Sequence, residues 1–166
     1  MSLKPHKLVD SGLLILANHE AEDSGFAAYH CTTGEAAANK GFLWAVYPTT
    51  ASLATLVVTT HVSDEGAAER ALQFAQLGNA ISAKVAAIER SGRGVRVVLA
   101  GDLNTRSDSD EYAVLARFTA ALGLTRTTWA DRRGTMKSPE LEYNDFDIIV
   151  FGSVSLGSLL SRCHIL

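Results

Sequence analysis

The sequence predicts a layered domain of α/β or α+β class, in which a β-sheet packs against helices. Strand-length apolar runs rich in β-branched and aromatic residues alternate with two segments whose apolar residues recur every three or four positions. The chain has 166 residues, of which 47% are hydrophobic and 20% charged, and this suffices for one globular domain with a substantial core. The predicted order is three strands, helix, strand, helix, loop and strand.

Five strands are predicted from their apolar runs. The runs GLLIL (residues 12–16), FLWAVY (42–47) and ATLVVTTHV (54–62) come first. VRVVLAG (95–101) shows little alternation, which is typical of a strand buried on both faces. The last run, NDFDIIVFGSV (144–154), returns the chain to the sheet.

The longer predicted helix covers residues 64–90, where the apolar residues share one face. They are Phe74, Leu77, Ile81, Val85 and Ile88. Ser63 is the expected N-cap, because a short hydroxyl side chain can accept a hydrogen bond from the first turn. Gly92 or Gly94 is expected to end the helix in the left-handed conformation.

The shorter predicted helix covers residues 109–122 and stops at Gly123. Its apolar face consists of Tyr112, Leu115, Phe118 and Leu122. The polar segment 125–143 that follows is predicted to be a long surface loop.

Composition narrows the classes of function. The formal net charge of -3 argues against a broad basic surface for nucleic acid, and leaves a small or lipid-borne phosphate ester open. The sequence has no signal-peptide pattern and no run of about 20 apolar residues, so no transmembrane segment is predicted and the localisation stays open. Cys31 and Cys163 are too few for a disulfide framework, although an oxidising compartment would allow them to pair.

Asp102 and Asn104 follow a predicted strand in the stretch VVLAGDLNT. Both residue types form turns by bonding their own backbone, so turn chemistry alone accounts for them. They can also form a site, because residues two apart in extended chain share a face. There the carboxylate would accept a proton or bind a cation, and the amide would donate to a phosphoryl oxygen.

His61 ends the strand ATLVVTTHV and admits a structural or a functional interpretation. If its strand runs parallel to the strand that ends at Asp102, both side chains lie at the sheet edge where open α/β sheets bind ligands. Asp147, flanked by apolar residues in DFDIIVF, is either a solvent-facing strand residue or a carboxylate that orients a histidine.

Three motifs, TTHV, AGDLNT and NDFDIIVF, stand in an order that resembles the endonuclease/exonuclease/phosphatase superfamily of metal-dependent phosphodiesterases. Within it the chain looks most like the neutral sphingomyelinases. SGLLIL, CTTGEAAANKGFLWAVY, ERALQF and EYAVLARF are similar to further segments of that family, and the resemblance extends to about Ser153. It implies a four-layer α/β/β/α sandwich (DNase I-like, α+β), incomplete here, with the active site at one rim.

The resemblance implies a role for four residues at that rim. Asp102 would activate or orient the attacking water, Asn104 would orient the phosphate, and His61 would donate to the phosphoryl oxygens. Asp147 would hold the catalytic histidine of the family.

Asn39 and Lys40 match a loop on the substrate side, with a solvated turn as the alternative. The resemblance implies Mg²⁺ as cofactor, but the family glutamate that ligates it and the C-terminal Asp-His have no match, so the metal ligands stay undetermined. His164, in the divergent tail 153–166, stands in a loosely similar setting. The chain is therefore expected to be a single partial domain over residues 1–166, a fragment of a longer family domain.

The resemblance implies a metal-dependent phosphodiesterase whose partner is a phosphodiester substrate. One candidate substrate is the headgroup of the membrane lipid sphingomyelin, which would be cleaved to ceramide and phosphocholine. The alternatives are a nuclease or nucleotide phosphatase of the same fold, and a catalytically inactive remnant that acts as a binding module. A basic rim along the cleft would favour the nuclease, and the net negative charge speaks against it.

Overall fold

The computed structural model describes residues 9–30, 38–105, 109–128 and 148–154. The strands are β1 (Val9–Asp10), β2 (Asp23–Ala28), β3 (Ala38–Asn39), β4 (Gly41–Thr50), β5 (Leu53–His61), β6 (Gly94–Asp102), β7 (Thr125–Thr128) and β8 (Ile148–Val154), and the helices are α1 (Ala67–Arg90) and α2 (Tyr112–Ala121). Six strands form one mixed sheet in the order β2-β4-β5-β6-β8-β7, and β1 and β3 form a separate parallel pair. The prediction of an α+β fold is confirmed.

The centre of the sheet consists of the strands that the sequence predicts best. β4 and β5 pair antiparallel across a tight turn, as expected for two β-branched and aromatic runs separated by a few residues. β5 then connects through α1 to β6, which pairs with it in parallel over nine residues without a shift in register. This βαβ unit brings the ends of β5 and β6 to the same edge of the sheet.

One face of the sheet is covered by both helices. Along β5 every second residue is buried, beginning at Ala54, and these side chains pack under the predicted apolar face of α1. Phe74 of α1 and Phe118 of α2 stack with ring centroids 5.1 Å apart, so the two helices share one core. Gly92 and Gly123 lie two residues beyond the ends of α1 and α2, and each has the positive φ that the sequence predicts there.

One strand prediction and one loop prediction were wrong. Residues 12–16 form no strand but an irregular segment in which Leu14 and Leu16 are 68% and 84% exposed, because no neighbouring strand of the described chain pairs with them. The edge strand is instead β2, whose sequence DSGFAA lacks an apolar pattern and is held by pairing with β4. Segment 125–143 was predicted to be a loop, yet it begins with β7, which pairs with β8; residues 129–143 lie outside the described chain.

Two smaller predictions also need correction. β6 is buried on the helix side only, because its other face carries residues such as Arg96 that remain accessible. Ser63 does not cap α1: the N-cap is Gly66, which makes no side-chain hydrogen bond, and the Ser63 hydroxyl accepts from the Glu65 N–H instead. Within the described residues, no helix is both long and apolar enough to traverse a bilayer.

Candidate active site

His61 and Asp102 are the last residues of β5 and β6 and are direct partners in the parallel ladder. Alternation along each strand places both side chains on the face opposite the helices. His61 Nε2 lies 3.6 Å from Asp102 Oδ2, and each side chain keeps about a third of its surface exposed. The prediction that these residues meet at one sheet edge is confirmed, and the edge is accessible to a ligand.

Gly101 allows the two strands to approach closely beside this pair. Its φ of +140° is one that other residues rarely adopt, and a Cβ at this position would lie 2.0 Å from the Thr60 carbonyl oxygen. The glycine of the GDLN stretch is therefore required by the contact with β5 and not only by the turn that follows.

Asn104 forms the turn that its sequence context predicts, and its side-chain amide lies at the same edge of the sheet. Its backbone N–H donates to Asp102 Oδ1 at 2.9 Å, and its φ of +45° is the left-handed conformation that asparagine tolerates in turns. Its side-chain Nδ2 donates to the Val62 carbonyl at 2.9 Å, which fixes the amide beside the end of β5. The turn thus holds one carboxylate oxygen, while Oδ2 of the same carboxylate faces His61.

Lys40 lies at the same edge and is buried, with 7% of its surface exposed, so the interpretation as a solvated turn residue was wrong. Its Nζ donates to the Val62 carbonyl at 3.1 Å and to Asp64 Oδ1 at 3.0 Å, and lies 3.5 Å from His61 Nε2. Asn39 precedes it in β3, half-buried and paired with β1. The ammonium group places a positive charge within the cluster of His61 and Asp102.

The second ring nitrogen of His61, Nδ1, lies 3.4 Å from the Ser11 carbonyl oxygen. A carbonyl can only accept, so this contact favours a proton on Nδ1. Ser11, which directly precedes the irregular segment 12–16, therefore contributes to the orientation of the imidazole.

Two polar residues of α1, Arg70 and Gln73, contact the main chain just after His61 and were not assigned a role from the sequence. Gln73 Oε1 accepts from the Ser63 N–H at 2.7 Å, and an Arg70 guanidinium nitrogen donates to the Ser63 carbonyl at 3.1 Å. A signal was present in the sequence, because Gln73 is an amide beside Phe74 in the apolar stripe of the helix.

The described residues do not fit a magnesium site. No group of three or more histidine, cysteine, aspartate or glutamate residues converges within this part of the chain. At the edge itself, the Asp102 carboxylate is accompanied by an imidazole and an ammonium group, whereas Mg²⁺ prefers several oxygen ligands. The predicted site residue Asp147, like His164 and both cysteines, lies outside the described residues.

The described chain is a mixed sheet with helices on one face, and a carboxylate, an imidazole and an amide lie at one strand edge. This is an α+β fold, as the motif resemblance predicted, and solved structures share it.

Three solved structures show this likeness. The chain matches SmcL with a TM-score of 0.57 and 18% identity, covering 80% of this chain and 50% of that one. It matches the human Nocturnin catalytic domain with bound sulfate at 0.54 and 13% (84% and 54% covered), and truncated Caenorhabditis elegans TDP2 at 0.52 and 16% (81% and 53%). The chain therefore spans about half the length of these structures. No family model and no curated protein matches the sequence.

Proposed function

We propose that this chain is a phosphodiesterase-type hydrolase domain and that the edge formed by Asp102, His61 and Asn104 binds the phosphoryl group of the substrate. The observation that carries this proposal is the 3.6 Å approach of His61 Nε2 to Asp102 Oδ2 at the paired ends of two parallel strands. Parallel strands in open sheets present their carboxyl ends to ligands, and this pair is accessible there.

In the proposed reaction, a water oxygen attacks phosphorus in line with the ester P–O bond, which breaks as the new bond forms. The leaving oxygen keeps the electron pair of the broken bond and takes a proton from solvent water. Asp102, whose other oxygen is held by the Asn104 N–H, accepts the proton that the water loses. His61 donates from Nε2 to a phosphoryl oxygen, and the Ser11 carbonyl beside Nδ1 orients its ring. Lys40 adds positive charge where negative charge develops.

The motif resemblance also suggests Mg²⁺ as cofactor and sphingomyelin as substrate, and both belong to the proposal. Because the described donor set does not fit Mg²⁺, no step is assigned to the metal. For the substrate, the net charge of -3 favours a single phosphocholine ester over a polyanionic nucleic acid.

The proposal is tested by hydrolysis of bis(p-nitrophenyl) phosphate with the purified chain, in Mg²⁺ and in EDTA. Asp102→Asn is expected to reduce turnover by about 10²- to 10⁴-fold, the usual range for loss of a proton-transfer group. His61→Gln is expected to reduce it by about 10²- to 10³-fold, the range for loss of one donor to the developing charge. Asp23→Asn is the matched control, because it removes a carboxylate from β2, at the far side of β4 and β5 from β6.

The proposed function is rejected if Asp102→Asn and His61→Gln each leave the turnover unchanged. It is also rejected if the native chain hydrolyses the substrate no faster than buffer does. Sphingomyelin vesicles and single-stranded DNA, compared in the same assay, then distinguish the proposed lipid substrate from the nuclease alternative.

A further inference from the structure

The dipeptide Val62-Ser63, directly after His61, is buried and has a hydrogen bond at every main-chain polar group. The Val62 N–H donates to the Asp102 carbonyl at 3.0 Å. The Val62 carbonyl accepts from Asn104 Nδ2 and from Lys40 Nζ, at 2.9 and 3.1 Å. One peptide carbonyl therefore fixes both the amide and the ammonium group of the candidate site.

The N–H of this same peptide unit, which belongs to Ser63, and the carbonyl of Ser63 are held from the opposite direction by α1. Gln73 Oε1 accepts from the Ser63 N–H at 2.7 Å, and Arg70 donates to the Ser63 carbonyl at 3.1 Å. Arg70 is itself held by Glu111, which directly precedes α2. Glu111 Oε2 accepts a hydrogen bond from Arg70 Nε at 2.9 Å and a second one from Arg70 Nη2. Two side chains of α1, one of them held by Glu111, thus bond a single residue, Ser63, that the substrate site does not contain.

The burial of these side chains argues against a surface role. Gln73 and Ser63 have no exposed surface, and Arg70 retains only 9%. A buried amide is unfavourable unless its hydrogen bonds are made, and here Oε1 accepts from the Ser63 N–H while Nε2 donates to Glu69 Oε1 at 3.4 Å. An apolar residue of similar size would fill the same space, but it would release the peptide.

We propose that Arg70 and Gln73 are positioning residues, which set Asn104 and Lys40 by holding the Val62-Ser63 backbone in place. This inference rests on the proposed function for its catalytic consequence, but its structural content does not require turnover. Displacing the Ser63 peptide moves the Val62 carbonyl, and with it the acceptor shared by the amide and the ammonium group. A shift well below 1 Å at such groups is enough to weaken catalysis.

The test compares Gln73→Met and Arg70→Lys with the native chain by NMR. Gln73→Met keeps an unbranched side chain but removes the strong acceptor, and Arg70→Lys keeps the charge while a single ammonium replaces the guanidinium that bridges Ser63 and Glu111. We expect amide exchange at Ser63 to accelerate about tenfold in Gln73→Met, which removes the acceptor of that N–H, and the side-chain NH₂ resonances of Asn104 to move in both variants. If the chain turns over substrate, kcat falls more than KM rises.

Gln76→Met is the matched control. Gln76 lies on the same helix and also bonds a loop backbone, but its two hydrogen bonds go to the N–H and the carbonyl of His30. Its effects should remain near His30, with Asn104 and Ser63 unchanged.

Unchanged Asn104 resonances and Ser63 exchange in folded Gln73→Met and Arg70→Lys would overturn the inference, and so would an equal response to Gln76→Met. Failure of both test variants to fold, with Gln76→Met folded, would assign the two residues to stability alone and likewise overturn it. A native chain without turnover rejects the proposed function and leaves the NMR result to decide the positioning role.

Discussion

Replacing Gly101 by alanine tests the close approach of β5 and β6 beside the candidate site. The added Cβ would lie 2.0 Å from the Thr60 carbonyl oxygen and 2.7 Å from the Thr60 nitrogen. Carbon and oxygen atoms need about 3.3 Å even in close contacts, so the strands must separate there by about 1.3 Å. Such a movement breaks the local ladder, and a non-glycine residue at positive φ adds a conformational cost of about 1–2 kcal/mol.

The expected loss in the free energy of unfolding for Gly101→Ala is about 3–5 kcal/mol, a value typical of severe packing and backbone changes. Gly123→Ala provides the control, because Gly123 also has positive φ (+66°) but has no atom within 4 Å of the added Cβ. This control should lose only about 1–2 kcal/mol, so the difference between the variants measures the steric overlap together with the greater backbone strain at φ +140°.

The assay is equilibrium urea unfolding followed by far-ultraviolet circular dichroism, with both variants fitted to a common slope. A Gly101→Ala protein that loses no more stability than Gly123→Ala would refute the close approach of the strands. It would also remove the reason for the pairing of His61 with Asp102, which depends on the same register.

Two further substitutions test an ion pair of the outermost strand, β2, and the core between the two helices. Lys84 donates to the Asp23 carboxylate at 2.6 Å and lowers the pKa of that carboxyl. The pair therefore stabilises the fold above the usual aspartate pKa, and this contribution is lost as the pH falls through the lowered pKa. Asp23→Asn should therefore reduce the difference in the free energy of unfolding between pH 7 and pH 3 by about 0.5 kcal/mol, a small value because the pair is partly exposed. An unchanged difference would contradict the pairing. Phe74→Ala removes a buried ring stacked on Phe118 and should cost about 3–5 kcal/mol in thermal unfolding, whereas a loss below about 1 kcal/mol would mean that the two helices do not share a core.

The sequence predicts the elements whose own residues carry a clear apolar period. β4, β5 and α1 follow from such patterns, and so does α2, which begins three residues later than expected. Periodicity fails where pairing with another strand decides the structure. β2 contains aspartate, serine and glycine and exists because β4 offers it a partner, whereas the apolar residues 12–16 have no strand beside them.

The candidate site divides in the same way. The residue types His61, Asp102 and Asn104 stand out in the sequence because polar side chains follow strands at a position where parallel pairing makes them neighbours. The burial of Lys40 and the hydrogen bonds at Ser63 depend on side chains from other elements, which no local pattern encodes. Roles that the resemblance alone implies, such as that of Asp147, stay predictions.

The uninterrupted pairing of β5 with β6 has a consequence for changes in chain length. Leu53 pairs with Gly94 at one end of the ladder and His61 with Asp102 at the other, so β5 and β6 have the same number of residues between their first pair and the site. Deleting one residue from either strand would retract one partner by about 3.3 Å and turn it toward the helices. Shortening both strands by two residues at matched positions would keep the imidazole opposite the carboxylate, so viable insertions and deletions here should occur in compensating pairs.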